Sequence, residues 1–110
     1  MFIRVFRAIV RPGLQDQFKK VLEIMTLPNI KYRNGMVAFL PGQPTGTNPD
    51  EFVLVTVWRD AAAAKKNDGG KWANAIIPPE ALPLLKEFHV QAYQAFGPLE
   101  PAQNLMLQGI

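Results

Sequence analysis

Hydrophobic residues occupy both alternating faces of the run Glu51 to Trp58, Glu-Phe-Val-Leu-Val-Thr-Val-Trp. Phe52, Leu54, Thr56 and Trp58 project to one side and Val53, Val55 and Val57 to the other. The β-branched and aromatic content predicts a strand. A strand with one wet face alternates apolar with polar residues. This one does not, so each of its faces should be covered.

The rest of the chain must supply those covers. Phe2 to Val10 predicts another strand, with Ile3, Val5, Arg7 and Ile9 on one face and Phe2, Arg4, Phe6, Ala8 and Val10 on the other. Arg11-Pro12-Gly13 stops it. Leu14, Phe18, Val21, Leu22 and Met25 recur at helical spacing and predict an amphipathic helix. Pro28 interrupts that helix and is expected to open a second short turn reaching Arg33, closed by Asn34-Gly35. Met36 to Leu40 predicts the second strand, joined to Glu51–Trp58 by a polar loop rich in proline and glycine.

Asp60 is placed to cap a helix from Ala61 to about Asn67. Lys71 to Ile77 and Glu80 to Lys86 predict two further short helical pieces, and Phe88 to Phe96 a last strand. On that strand Phe88, Val90 and Ala92 share one face, and His89, Gln91 and Tyr93 the other. The order strand, helix, strand, strand, helix, strand predicts an α+β fold of the ferredoxin-like βαββαβ type, with a four-stranded antiparallel sheet and helices on one face. The helices cover one side of Glu51–Trp58. A second copy of the sheet, in a two-fold homodimer, is the simplest cover for the other. Residues 1–97 are expected to form the domain and 98–110 a C-terminal tail, free or wrapped onto a partner.

Composition narrows the chemistry. The 110 residues contain no cysteine and one histidine, which argues against disulfides, thiolate sites and the usual zinc sets. The net charge of +3 is spread over scattered Lys and Arg, without the basic stripe and interleaved aromatics of a nucleic-acid binder. No run predicts a signal peptide or membrane span, so a cytoplasmic protein with no membrane partner is expected. No phosphate loop or dinucleotide fingerprint is present, and a single histidine leaves no Ser/His/Asp arrangement to be seen.

Several local features together resemble a family. They are the Pro-Gly turn after the first strand, the Thr-Leu-Pro kink, Asn-Gly before the second strand and the Val-Thr-Val-Trp strand end. An Ile-Pro-Pro-Glu segment before a Val-x-x-Tyr strand completes the set. The chain from about Phe2 to Phe96 is similar to the antibiotic biosynthesis monooxygenase domain family, whose members are dimeric α+β barrels. The resemblance implies a cofactor-independent monooxygenase acting on an aromatic or quinol-like small molecule in a pocket between sheet and helices. It also leaves open a non-catalytic ligand-binding or stress-associated dimer, or haem binding through His89. In the polyketide-modifying members an Asn four residues before the strand-end Trp, that Trp, and a Tyr six residues after it line the pocket. Trp58 matches the Trp, while the other positions hold Leu54 and Ala64. In the haem-degrading members an Asn on the first strand, a Trp on the second helix and a His just beyond form the set. The first two positions correspond to Phe6 and Asn67, and the segment from Trp72 to Pro79 contains no His.

Candidate site residues follow from chemistry and resemblance together. Trp58 and His89 are the catalytic candidates, Trp58 as a ring-stacking wall and His89 as a general base or axial ligand. Phe6, Leu54 and Trp72 are expected to line the pocket, and Tyr32, Asn74 and Tyr93 to reach a substrate oxygen. Arg4 and Arg7 would neutralise an anionic substrate if they point inward. Cofactor-free oxygenation requires no metal, haem or flavin.

Overall fold

In a computed structural model, which describes residues 1–30, 33–68 and 77–101, a four-stranded antiparallel sheet carries helices on one side. The strands are β1 (Phe2–Val10), β2 (Met36–Gly42), β3 (Glu51–Trp58) and β4 (Leu85–Gln94), and their order across the sheet is β2-β3-β1-β4. The two strands with apolar residues on both faces, β1 and β3, thus lie in the middle. There each is hydrogen-bonded along both edges, and β-branched and aromatic side chains pack best. Register across the centre is continuous, with Phe6 opposite Leu54 and Val90, and Arg4 opposite Thr56 and Ala92. Glu51–Trp58 therefore has the two faces that its sequence required. Phe52, Leu54, Thr56 and Trp58 are buried under the helices, and Val53, Val55 and Val57 lie on the open face.

The first helical segment runs on through Pro28 instead of restarting there. Helix α1 (Gln15–Val21) passes into a π-helical stretch, Leu22–Thr26, and then into α2 (Leu27–Ile30). Pro28 has no N–H to donate to the carbonyl four residues back. Wider π spacing in the preceding turn accommodates such a gap without breaking the rod. The Asn29 side chain adds a bond of its own, donating Nδ2–H to the Met25 carbonyl at 2.6 Å. Phe18 from α1 meets Phe52 from β3 edge to face, with ring centroids 5.1 Å apart. This contact seats the helix on the sheet.

Helix α3 (Ala61–Asp68) begins as expected, with the Ala63 N–H donating to Asp60 Oδ1 at 2.7 Å. Its alanines bring it close to the start of β2. Gly35, at φ +87°, is the residue it meets there, and a Cβ on Gly35 would stand 2.7 Å from the Ala63 Cβ. Only glycine fits both that backbone conformation and that approach. The piece expected at Glu80 to Lys86 is a 3-10 turn, Pro79–Leu84, and β4 already begins at Leu85. Pro83 confines the turn, because a longer helix would need the N–H that it lacks. The helix expected over Lys71 to Ile77 lies almost wholly outside the described residues. No helix among the described residues is long and apolar enough to cross a membrane.

Candidate functional site

The helix-facing side of the sheet is unevenly covered. Over β3 and most of β1 it is sealed, and Phe6, Ala8, Leu54 and Trp58 are buried. Over the edge strand β4 it is partly open, with Phe88 40% and Val90 39% exposed. The Phe88 ring stacks on Phe6, centroids 6.0 Å apart and planes inclined by 29°. The buried core thus continues through Phe6 into an apolar shelf that can take a flat ring.

A cation stands beside that shelf. Arg4 is on the helix-facing side, 9% exposed, in register with Thr56 and Ala92, its guanidinium 5.9 Å from the centroid of the Phe2 ring. A buried arginine next to aromatic surface is suited to an anionic oxygen on an aromatic ligand. Below it lies a small polar network. Trp58 Nε1–H donates to Thr56 Oγ1 at 2.9 Å, and Thr56 Oγ1 donates to the Arg4 carbonyl at 3.3 Å. These bonds fix the fully buried indole in the sealed core, opposite Phe2 and away from the Phe88–Val90 shelf.

The other face of the sheet carries different chemistry. Arg7 donates twice to Glu51, Nε to Oε2 at 3.0 Å and Nη2 to Oε1 at 2.9 Å. This two-pronged pairing holds the Glu51 carboxyl below the ordinary glutamate range and Arg7 above its ordinary value, through the side-chain hydrogen bond first and charge second. His89, half-exposed, lies 3.5 Å from Glu87 on the same face and opposite Arg7 in register. Ile3, Val5, Val55 and Val57 make the centre of this face apolar, with Gln91 opposite Val5 and Leu40 69% exposed at its edge. A concavity of about 600 Å³ on this side is bounded by Ile3, Val57 and Tyr93 from the sheet and by Phe96 and Leu99 from the chain after β4.

The sequence-derived candidates therefore divide between the two faces. Phe6, Leu54 and Trp58 come together under the helices, whereas His89 and Tyr93 lie on the open side. Tyr32, Trp72 and Asn74 lie outside the described residues. Arg4 and Arg7 lie on opposite faces, as residues three apart on a strand must, and it is Arg4 that lies on the helix-facing side. Phe88, at the centre of the shelf, was not among the expected lining residues. Its alternation with His89 placed it on one face, but only the pairing of β4 with β1 shows that this face is Phe6's. Among the described residues no group of three or more His, Cys, Asp or Glu side chains converges as metal ligands would.

The fold with this layout is that of the antibiotic biosynthesis monooxygenases. A candidate antibiotic biosynthesis monooxygenase from Deinococcus radiodurans superposes with a TM-score of 0.72 over 94% of this chain and 100% of its own, at 14% identity. SnoaB, a cofactor-independent oxygenase from Streptomyces nogalater, gives 0.68 over 91% of this chain and 97% of its own, at 19% identity. A variant of MhuD, with two manganese protoporphyrin IX molecules bound per active site, gives 0.72 over 92% and 100%, at 14% identity. At these identities the likeness is one of fold. No protein-family profile and no curated protein matches the sequence.

Proposed function

We propose that this protein holds an aromatic or quinol-like small molecule against the helix-facing side of its sheet and oxidises it with molecular oxygen, without a bound cofactor. The observation that carries this reading is the apolar shelf of Phe6, Phe88 and Val90 beside the buried Arg4. The fold shared with a cofactor-independent oxygenase supports it. An electron-rich ring, once deprotonated, can itself reduce oxygen. The protein must hold the ring, exclude water and stabilise the anion. In this reading Phe88 and Val90 form the exposed wall, backed by the buried Phe6, and Arg4 faces the ionised oxygen. At an anthrone-type carbon, CH₂ becomes C=O and the second oxygen atom leaves as water.

Two copies pair through their open faces, which gives Val53, Val55 and Val57 the second cover that their pattern calls for. His89 and Tyr93 then belong to that junction. Haem binding through His89 would place the macrocycle on the same surface and compete with pairing. A Soret shift abolished by His89→Ala would favour haem.

Oxygen uptake by the pure protein with a panel of hydroquinones and anthrones tests the oxygenase reading. Consumption that scales with protein concentration is expected, and no rate above buffer across the panel sinks it. Leu54 and Ala64 support a second reading. Both are buried apolar residues where the polyketide-modifying members carry Asn and Tyr. A protein that binds but does not turn over would retain an apolar ligand in native mass spectrometry and show no oxygen uptake.

A further inference from the structure

We propose that Ala92 sets the specificity of the shelf, by leaving beside Arg4 a step that admits the ionised end of a flat ligand. The inference rests on the reading that the helix-facing side of the sheet holds an aromatic molecule. It names the residue that selects for charge on that molecule.

The surface of β4 falls away along the strand. On its helix-facing side stand Phe88, Val90 and Ala92, in register with Ala8, Phe6 and Arg4 of β1. Same-face neighbours on a strand are about 7 Å apart, so the three form a staircase of decreasing side-chain size. Phe88 and Val90 offer a ring and a branched side chain. Ala92 offers one methyl group, and it is exposed. The low step is the one that faces the buried cation, since directly opposed residues on antiparallel strands have Cβ atoms about 5 Å apart.

The other sides of Arg4 are taken up. Toward β3 it stands beside Thr56, which is fully buried and bonded to the Arg4 carbonyl and the Trp58 indole. Toward the strand start its guanidinium stands over the Phe2 ring. Gln94, next on the same face of β4, turns its amide to the Met1 and Ala95 carbonyls. Among the described residues Ala92 is therefore the low point in the rim around Arg4. A flat ring laid on Phe88 and Val90 can extend its end over that point and bring an anionic oxygen toward the guanidinium. An uncharged end gains less, because a neutral acceptor forms the weaker bond to an arginine.

Because Arg4 is buried, the test is placed on its exposed neighbour. Naphthoate and naphthylmethanol share a fused ring and differ in charge. Their dissociation constants for the full chain are measured by titration calorimetry at neutral pH. The wild type should prefer naphthoate by about tenfold. Ala92→Leu fills the step and should lose that preference while still binding naphthylmethanol. Ala92→Ser keeps the step and should retain it. Phe88→Ala should weaken both ligands together. A wild type that binds the two equally overturns the selection for charge and leaves the aromatic shelf standing. A preference that survives in Ala92→Leu, or affinities that Phe88→Ala does not change, overturns the assignment to this step. If neither ligand binds the wild type, the aromatic-binding reading falls together with the proposal.

Discussion

The two sides of β3 contain similar fractions of hydrophobic residues and have different characters. The covered side carries Phe52, Leu54, Thr56 and Trp58, all buried. These residues are varied in shape, locked by an edge-to-face aromatic contact and by the hydrogen bond that the indole N–H donates to Thr56. The open side carries Val53, Val55 and Val57 beside Ile3 and Val5, which are short, branched and nearly uniform. The difference teaches how hydrophobicity is used. A surface that must fit one irregular set of helices needs large, dissimilar side chains in fixed positions. A flat carpet of valine and isoleucine suits another sheet face, where strands stack at regular spacing.

That contrast can be broken most sharply on the covered side. Trp58→Ala removes the largest fully buried side chain among the described residues and should lower unfolding stability by about 3–5 kcal/mol, read by chemical denaturation. A loss below roughly 1 kcal/mol would mean that this side is not the closed core.

Val55→Lys tests the open side. Folding stability should change little, while the buried ammonium opposes pairing by at least a hundredfold in dissociation constant, roughly 3 kcal/mol. Sedimentation equilibrium reads the constant. An unchanged association would show that the valine face is not the junction.

Thr56→Val preserves shape but removes the acceptor for Trp58 Nε1–H, and should cost about 1–2 kcal/mol in denaturation. The same exchange is not available on the open side, which has valine there already.

The smallest effect is expected at the Arg7–Glu51 pair, which is partly exposed and therefore screened. The folded-state carboxyl of Glu51 is depressed. Its contribution is therefore complete above the ordinary glutamate range and lost as pH falls through the folded-state value. Stability should be flat with pH near neutrality and decline on acidification. Glu51→Gln should lose that part of the decline. A variant with the same acid profile as wild type would show the pair to be inert.

The order of elements and the face of each residue on β1, β3 and β4 were legible in the sequence, because side chains on a strand alternate with a period of two and turn residues mark the ends. Asp60 as a cap was legible for a similar local reason. Continuation of the helix through Pro28 was not, because whether a π turn absorbs a missing donor depends on the packing around it. The candidate site was half legible. Phe6, Leu54 and Trp58 all lie on the covered faces of adjacent strands. Phe88 emerged only when β4 was paired with β1, and Arg4 as an inward residue only when its face of β1 was seen beneath the helices.

The hydrophobic pattern by itself determined that Glu51–Trp58 is a strand needing two covers, because apolar side chains on both faces are unfavourable in water. It also determined which residues share each face. Only the tertiary structure decided that the Trp58 side lies beneath the helices, that the Arg4–Phe6 face of β1 lies there with it, and that His89 lies on the other side with Arg7 and Glu51. The reason is physical. Alternation sets the relative orientation of neighbours along one strand, but which side becomes the interior is set by contacts such as Phe18 on Phe52, made between residues far apart in the chain.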